Sequence, residues 1–247
     1  MFDVRHLKPI ATPRPARRTP LGAARSILLA LCLAAPALPA AGDTIVSQGR
    51  RFSRQDVTAI RGDRIILATQ KYLPAAKVDH IEFDAFDVQP YSTGIVLKNG
   101  TRLGGAIREM RKEVVFRSVT LGDISLNRDD IAWVYYSTDA FAREVAADGT
   151  GTRLRTRSGA DIRGRLLWAD RASAGIMTDD GIRRVEADNI LFVQLHPRPP
   201  DGPVALRNDD RLAGCRFDGV RIQVTVAGTE YAVPLAAARR IDFKQER

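Results

Sequence analysis

Between residues 95 and 136, apolar and polar residues alternate in short bursts, none long enough to make a helix. Leu103, Gly105 and Ile107 fall on one side, Val114 and Phe116 follow, then Ile124 and Leu126, and residues 131–136 close the stretch. A period of two over such short runs marks half-buried strands. Turn residues separate the bursts: Asn99-Gly100, Gly122-Asp123, and a single-turn step at 127–130. Asn-Gly between apolar runs predicts a hairpin whose two central residues both take positive φ. Gly105 in mid-strand predicts a bend or a close backbone approach.

The pattern recurs. Ser158-Gly159 stands for Asn99-Gly100, Ile162 and Gly164 keep the offsets of Leu103 and Gly105, and Ile190 matches Ile131 at the same distance from the turn glycine. Further on, Asn208-Asp209 takes the turn, and Leu212 and Gly214 the strand positions. The earliest copy is degenerate: Gln48-Gly49 makes the turn, but Phe52 replaces the leucine and Arg54 the strand glycine. A period of this length announces repeated small modules. The expectation is an all-β protein of four repeats, each a small five-stranded bent barrel or sheet, with boundaries at 43–91, 92–136, 151–195 and 203–247. Residues 137–150 have a helical look, with Thr138 or Asp139 as cap and Phe141 and Val145 on one face. Residues 196–202, His-Pro-Arg-Pro-Pro-Asp-Gly, predict a stiff linker.

The first 41 residues read differently. Arg5, Lys8, Arg14, Arg17, Arg18 and Arg25 face the single acid Asp3. An apolar stretch at 27–35 and a small-residue, proline-bearing exit follow. Those three parts predict a secretory signal peptide cleaved near Ala40 or Ala41. The apolar run is shorter than the ~20 residues of a membrane span, so none is expected after cleavage. Arg17-Arg18 suggests the twin-arginine route, but Pro20 stands where that signal wants an apolar residue.

Export changes the meaning of charge. The chain carries a formal +9. Beyond residue 41, Lys plus Arg falls from 38 to 32 and Asp plus Glu from 29 to 28, leaving about +4. Nucleic-acid binding therefore fits poorly. Cys32 leaves with the signal, so Cys215 is the one remaining thiol, read as a small buried side chain.

Catalytic patterns are scarce. Beyond the leader only His80 and His196 remain, in different units; no His-Glu-x-x-His, Gly-x-Ser-x-Gly or phosphate loop is present. No cofactor or metal is expected. The pairs Asp129-Asp130, Asp179-Asp180 and Asp209-Asp210 sit at predicted turns, where their chemistry is that of turns; a glycan-directed hydrolase using such a pair is the alternative. Arg61-Gly62-Asp63 reads as a hairpin turn. Four aromatics, Trp133, Tyr135, Tyr136 and Trp168, are the candidates for stacking on sugar rings, with core or inter-unit packing as the reading favoured for them.

The Leu-x-Asn-Gly-x-x-Leu-x-Gly-x-Ile pattern, followed by Ile-x-Leu-x-x-x-x-Ile, resembles a β-repeat of exported bacterial proteins found in planctomycetes and related bacteria. In layout it is similar to the Sm-like and Src-homology small barrels. Such repeats often accompany carbohydrate-binding modules of the NPCBM type, so the resemblance implies an envelope setting and glycan neighbours. The expectation is a non-enzymatic, exported binding or scaffold module of the bacterial envelope, periplasmic or extracellular, glycan- or cell-wall-associated, with an envelope protein or glycan as partner.

Overall fold

The computed structural model describes residues 42–84, 88–142 and 151–243. The expected signal peptide and residues 143–150 of the expected helical linker lie outside them. Within the described residues the alternation is borne out as an all-β architecture, antiparallel in every pairing and divided between two sheets.

The strands come in four runs. The first is β1 (Asp43–Ser47), β2 (Arg50–Gln55), β3 (Val57–Arg61), β4 (Arg64–Leu67), β5 (Tyr72–Pro74) and, after a 3-10 turn at Ala75–Lys77, β6 (His80–Glu82). The second is β7 (Gly94–Leu97), β8 (Arg102–Met110), β9 (Glu113–Ser118), β10 (Gly122–Asn127), a 3-10 turn at Arg128–Asp130, and β11 (Ile131–Tyr135). One helical turn follows, α1 (Asp139–Ala142). The third is β12 (Arg153–Thr156), β13 (Asp161–Arg163), β14 (Arg165–Ala169), β15 (Ser173–Thr178), β16 (Gly181–Glu186), a 3-10 turn at Ala187–Asn189, and β17 (Ile190–Gln194). The fourth is β18 (Val204–Leu206), β19 (Arg211–Leu212), β20 (Arg216–Gly219), β21 (Arg221–Val226), β22 (Thr229–Pro234), a 3-10 turn at Leu235–Ala237, and β23 (Ala238–Asp242). In each run the last strand pairs back onto the first: β6 on β1, β11 on β7, β17 on β12, β23 on β18.

The leading hairpins are of two kinds. Gln48 and Gly49 both have positive φ, as expected of a two-residue turn. At Asn99-Gly100 only the glycine does. Leu97 N–H donates to Thr101 O and Gly100 N–H to Leu97 O, which makes a three-residue loop ending in a left-handed residue. Ser158-Gly159 and Asn208-Asp209 repeat those bonds, from Thr156 and Leu206 respectively. The predicted two-residue geometry is thus corrected: these loops need one positive φ at the third position, which Asp209 supplies at 66°.

The glycines at the bends, Gly105 within β8 and Gly164 between β13 and β14, have a different cause. Gly105 and Gly164 sit at φ 157° and 158°. A Cβ there would meet the carbonyl oxygens of Arg117 and Met177 at 2.1 and 2.0 Å. Only a residue without a side chain lets the bent strand lie so close to its neighbour. In the first run Arg54, at φ 60° and exposed, holds the corresponding place.

The runs also pair with one another. β11 lies antiparallel to β17, and β14 meets β8 at Ala169 and Met110. β6 lies antiparallel to β23, and β3 pairs with β20. The second run is thus joined to the third and the first to the fourth, each by its closing strand and by its bent strand. Ile45, Ile81, Leu103, Phe116, Leu154, Ile176, Leu212, Ile222 and their neighbours form one large core on the inner faces. A smaller cluster, Val96, Trp133, Tyr135, Leu191 and Phe192, covers the other side of β7, β11 and β17 beneath α1.

Within the described residues the expected helix is present as its first turn, from Asp139. Its first bonds run to Ser137, whose Oγ accepts from Asp139 N–H and whose carbonyl accepts from Ala140 N–H. Thr138 directly precedes the helix and its carbonyl accepts from Phe141 N–H, and Ser137 Oγ supplies the side-chain bond to the first turn. No helix among the described residues is long and apolar enough to cross a membrane.

Candidate functional site

Strand register decides which predicted aromatics face outward. β11 is flanked by β7 and β17 and covered on both sides, so all five of its residues are buried. Trp133 is 1 % exposed and stacks on Phe192 with centroids 4.5 Å apart. Its indole N–H donates to His196 O at 3.2 Å, and the Arg198 guanidinium lies over the ring. Tyr135 packs edge-on against Phe141. Tyr136 reaches into the main core and donates to Asp170 O at 2.8 Å. Burial raises the pKa of both phenols. Trp133, Tyr135 and Tyr136 are thus packed side chains and drop out as sugar-stacking candidates: the first two are buried in the smaller cluster beneath α1 and the third in the main core.

Trp168 is different. It belongs to neither core cluster and is half-buried. On β14 it stands opposite Gly175 of β15, which stands opposite Arg184 of β16. A Cβ on Gly175 would lie 2.1, 2.2 and 2.3 Å from Cη2, Cζ3 and Cζ2 of the indole. Three consecutive ring atoms at nearly equal distance mean that the face of the ring, not its edge, covers the glycine. A cross-strand glycine shielded by an aromatic is a known stabilising pair. The next row on that face is Arg165, Met177 and Ile182, the last 58 % exposed. Leu166, Ala174 and Ile176 point the other way, into the core. Beside Trp168, where β14 meets the end of β8, lies an open depression of about 230 Å³ lined also by Arg108, Glu109, Arg111 and Asp170.

The paired acids part company. Asp129, Asp130, Asp179 and Asp180 are exposed; Asp129 N–H is held by the Asn127 side chain at the start of its 3-10 turn, and Asp180 pairs with Arg183. Asp210, by contrast, is buried. Its Oδ1 accepts from Gly104 N–H at 2.5 Å, and its Oδ2 accepts from Thr120 Oγ1 and from Asn208 Nδ2. Burial raises its pKa, against the opposing pull of those donors and of Arg102. Asp209 takes Arg102 at 2.8 Å and Arg239 at 3.0 Å. Arg102, itself buried, also donates to Asp209 O and lies over Phe141 at 4.5 Å. This polar cluster fastens the fourth run to the second, and both carboxylates are occupied in doing so. Sequence reasoning placed Asp209 and Asp210 in a turn and missed the lock. Its only signal was an Asp where the turns at Gly49, Gly100 and Gly159 have glycine.

The other singled-out groups are accounted for locally. Arg61-Gly62-Asp63 is the β3–β4 turn, with Arg61 opposite Asp218 of β20. His80 lies 3.6 Å from Glu82, and burial lowers the pKa of His196. Burial pushes the Cys215 thiol up to about 12. Among the described residues no group of three or more His, Cys, Asp or Glu side chains could hold a metal ion. No protein-family model, curated protein or solved structure matches the chain.

Proposed function

We propose that the chain is a non-enzymatic, exported module of the bacterial envelope, built from four copies of one small bent barrel and acting by binding or scaffolding. The return of each closing strand to the first strand of its run supports the repeat reading. The three-part leader supports export. The observation that carries the binding reading is Trp168: an outward indole seated on Gly175, on a sheet face whose other side is core. Against it, the acids with the most unusual surroundings, Asp209 and Asp210, are engaged by Arg102, Thr120, Asn208 and Gly104. A carboxylate so held is a fold contact rather than an acid or base waiting for a glycosidic bond.

Two measurements test this reading. Expression with the natural N-terminus in a Gram-negative host, followed by fractionation and mass determination, is expected to yield a periplasmic product beginning near residue 41. Recovery of the uncleaved chain from the cytosol sinks export. Purified protein is then passed over insoluble cell-wall polysaccharides and over immobilised envelope extract. Retention on a polysaccharide supports the glycan version, capture of a single envelope protein supports the scaffold version, and sugar release from the polysaccharide refutes both.

A further inference from the structure

The face around Trp168 has a charge as well as a shape. Its apolar part is Trp168, Met177 and Ile182, in adjoining positions of three neighbouring strands. Arginines surround it: Arg165 and Arg184 in the same rows, Arg108 and Arg111 at the seam with β8. The nearby acids are already engaged. Glu109 pairs with Arg111 at 3.0 Å and Glu186 with Arg184 at 3.1 Å. Asp170 Oδ1 accepts from the backbone N–H groups of Ala172 and Ser173. Arg108 and Arg165 make no salt bridge among the described residues. The Trp168 indole N–H has no partner there either, and it is not among the buried unpaired atoms.

Taking the envelope-binding reading as its base, we infer that this face is a subsite for an acidic polysaccharide, one whose sugars carry carboxylates. A pyranose ring has an apolar face of C–H groups and a polar rim. Trp168 offers a rigid flat surface for the first, held in place by its seat on Gly175. The indole N–H and the guanidinium groups serve the second. Arginine presents a planar fork of donors that matches a carboxylate. A neutral sugar would use the ring and leave Arg108 and Arg165 without a carboxylate partner, whereas a carboxylated one uses both. Because the arginines are exposed, their share is sensitive to salt.

The test is direct binding of the full chain to polygalacturonate, with neutral dextran and single-stranded oligo(dT) as comparison polymers. Only two tryptophans are present, and Trp133 is sealed under Phe192, so a change in fluorescence on ligand addition reports Trp168. Polygalacturonate is expected to bind and to shift that emission. Trp168→Ala should weaken binding about tenfold or more, as loss of a central aromatic anchor does, with Trp168→Phe keeping most of it. The pair Arg108→Ala and Arg165→Ala removes the two arginines of this face that make no salt bridge among the described residues, keeps Trp168 and its Gly175 seat, and should weaken binding and flatten its salt dependence. Melting curves matching the wild type establish that each variant folds.

Equal affinity for dextran and polygalacturonate overturns the acidic subsite while leaving glycan binding intact. No binding to either polymer overturns both. Binding to oligo(dT) with the same Trp168 dependence, and not to polygalacturonate, overturns the assignment in favour of nucleic acid. Polygalacturonate binding indifferent to Trp168 and to both arginines places the site elsewhere.

Discussion

Gly159 and Gly164 lie five residues apart, and alanine should affect them very differently. At Gly159 φ is 97° and a Cβ meets nothing within 4 Å. The cost is then only that of an unfavourable φ, about 1 kcal/mol. At Gly164 the same methyl runs into the Met177 carbonyl, with Ile176 close behind. Neither a backbone oxygen in a paired strand nor the packed side chain below it can give way cheaply, so the loss should reach roughly 3 kcal/mol. Urea melts of the two variants decide this, and equal losses would refute the close-approach account. The sequence announced that Gly164 mattered, because the glycine recurs at the offset of Gly105 within an otherwise apolar, alternating stretch. It could not announce the contact, since the Met177 carbonyl comes from another strand. Cys215 is a simpler case. Its raised pKa leaves almost no thiolate at neutral pH, so a disulfide-exchange thiol reagent should label it slowly in the native protein and quickly in urea.

At the scale of elements, the joint between β8 and the β18–β19 turn rests on Arg102, Asp209 and Asp210. Asp210 is held above the ordinary carboxyl value of 3.8, mainly by burial. A carboxyl with a raised pKa binds its proton more tightly folded than unfolded. Its contribution to stability is therefore complete below the unfolded value and is lost as pH rises through the folded one. Asp210→Asn removes that titration. The stability of the wild type relative to the variant should fall as pH is raised from about 3.5 toward neutrality, in thermal melts at several pH values; a rise would show that the donors, not burial, govern the group. Arg102→Ala takes two bonds from Asp209 and the cover from Phe141, and should cost about 2 kcal/mol. The elements themselves were legible, because alternation and turn residues act locally. The joint was not. Arg102 reads as the polar member of an alternating strand, and Asp210 as half of a turn pair. Which aromatics are packed and which face outward was not legible either, since the burial of Trp133 depends on Phe192 of β17, a strand from the next run.

For the whole molecule, the question is whether the four runs fold as beads or as one body. The chain does not pair each run with its successor throughout. The second joins the third, but the first joins the fourth, through β6 on β23 and β3 on β20. Strands at the two extremes of the described chain therefore complete each other's edges. A β6 without β23 keeps only β1, and β3 without β20 loses a neighbour across the bend. A six-strand sheet would be cut in half, leaving β3–β5 as a three-strand remnant with an open edge, and such remnants are marginal and prone to pair with other chains. Deleting residues 203–247 should consequently unravel the first run as well. In hydrogen exchange, the amides of Ile60 and Ile81 are expected to lose protection in the truncated protein, while those of Val134 and Val193, on β11 and β17, keep theirs. Unchanged protection at Ile60 and Ile81 would mean that each run stands alone and that the pairing of first with fourth adds little to stability. The full chain should unfold in a single transition by circular dichroism and by tryptophan fluorescence, because no run has both its edges closed by its own strands alone.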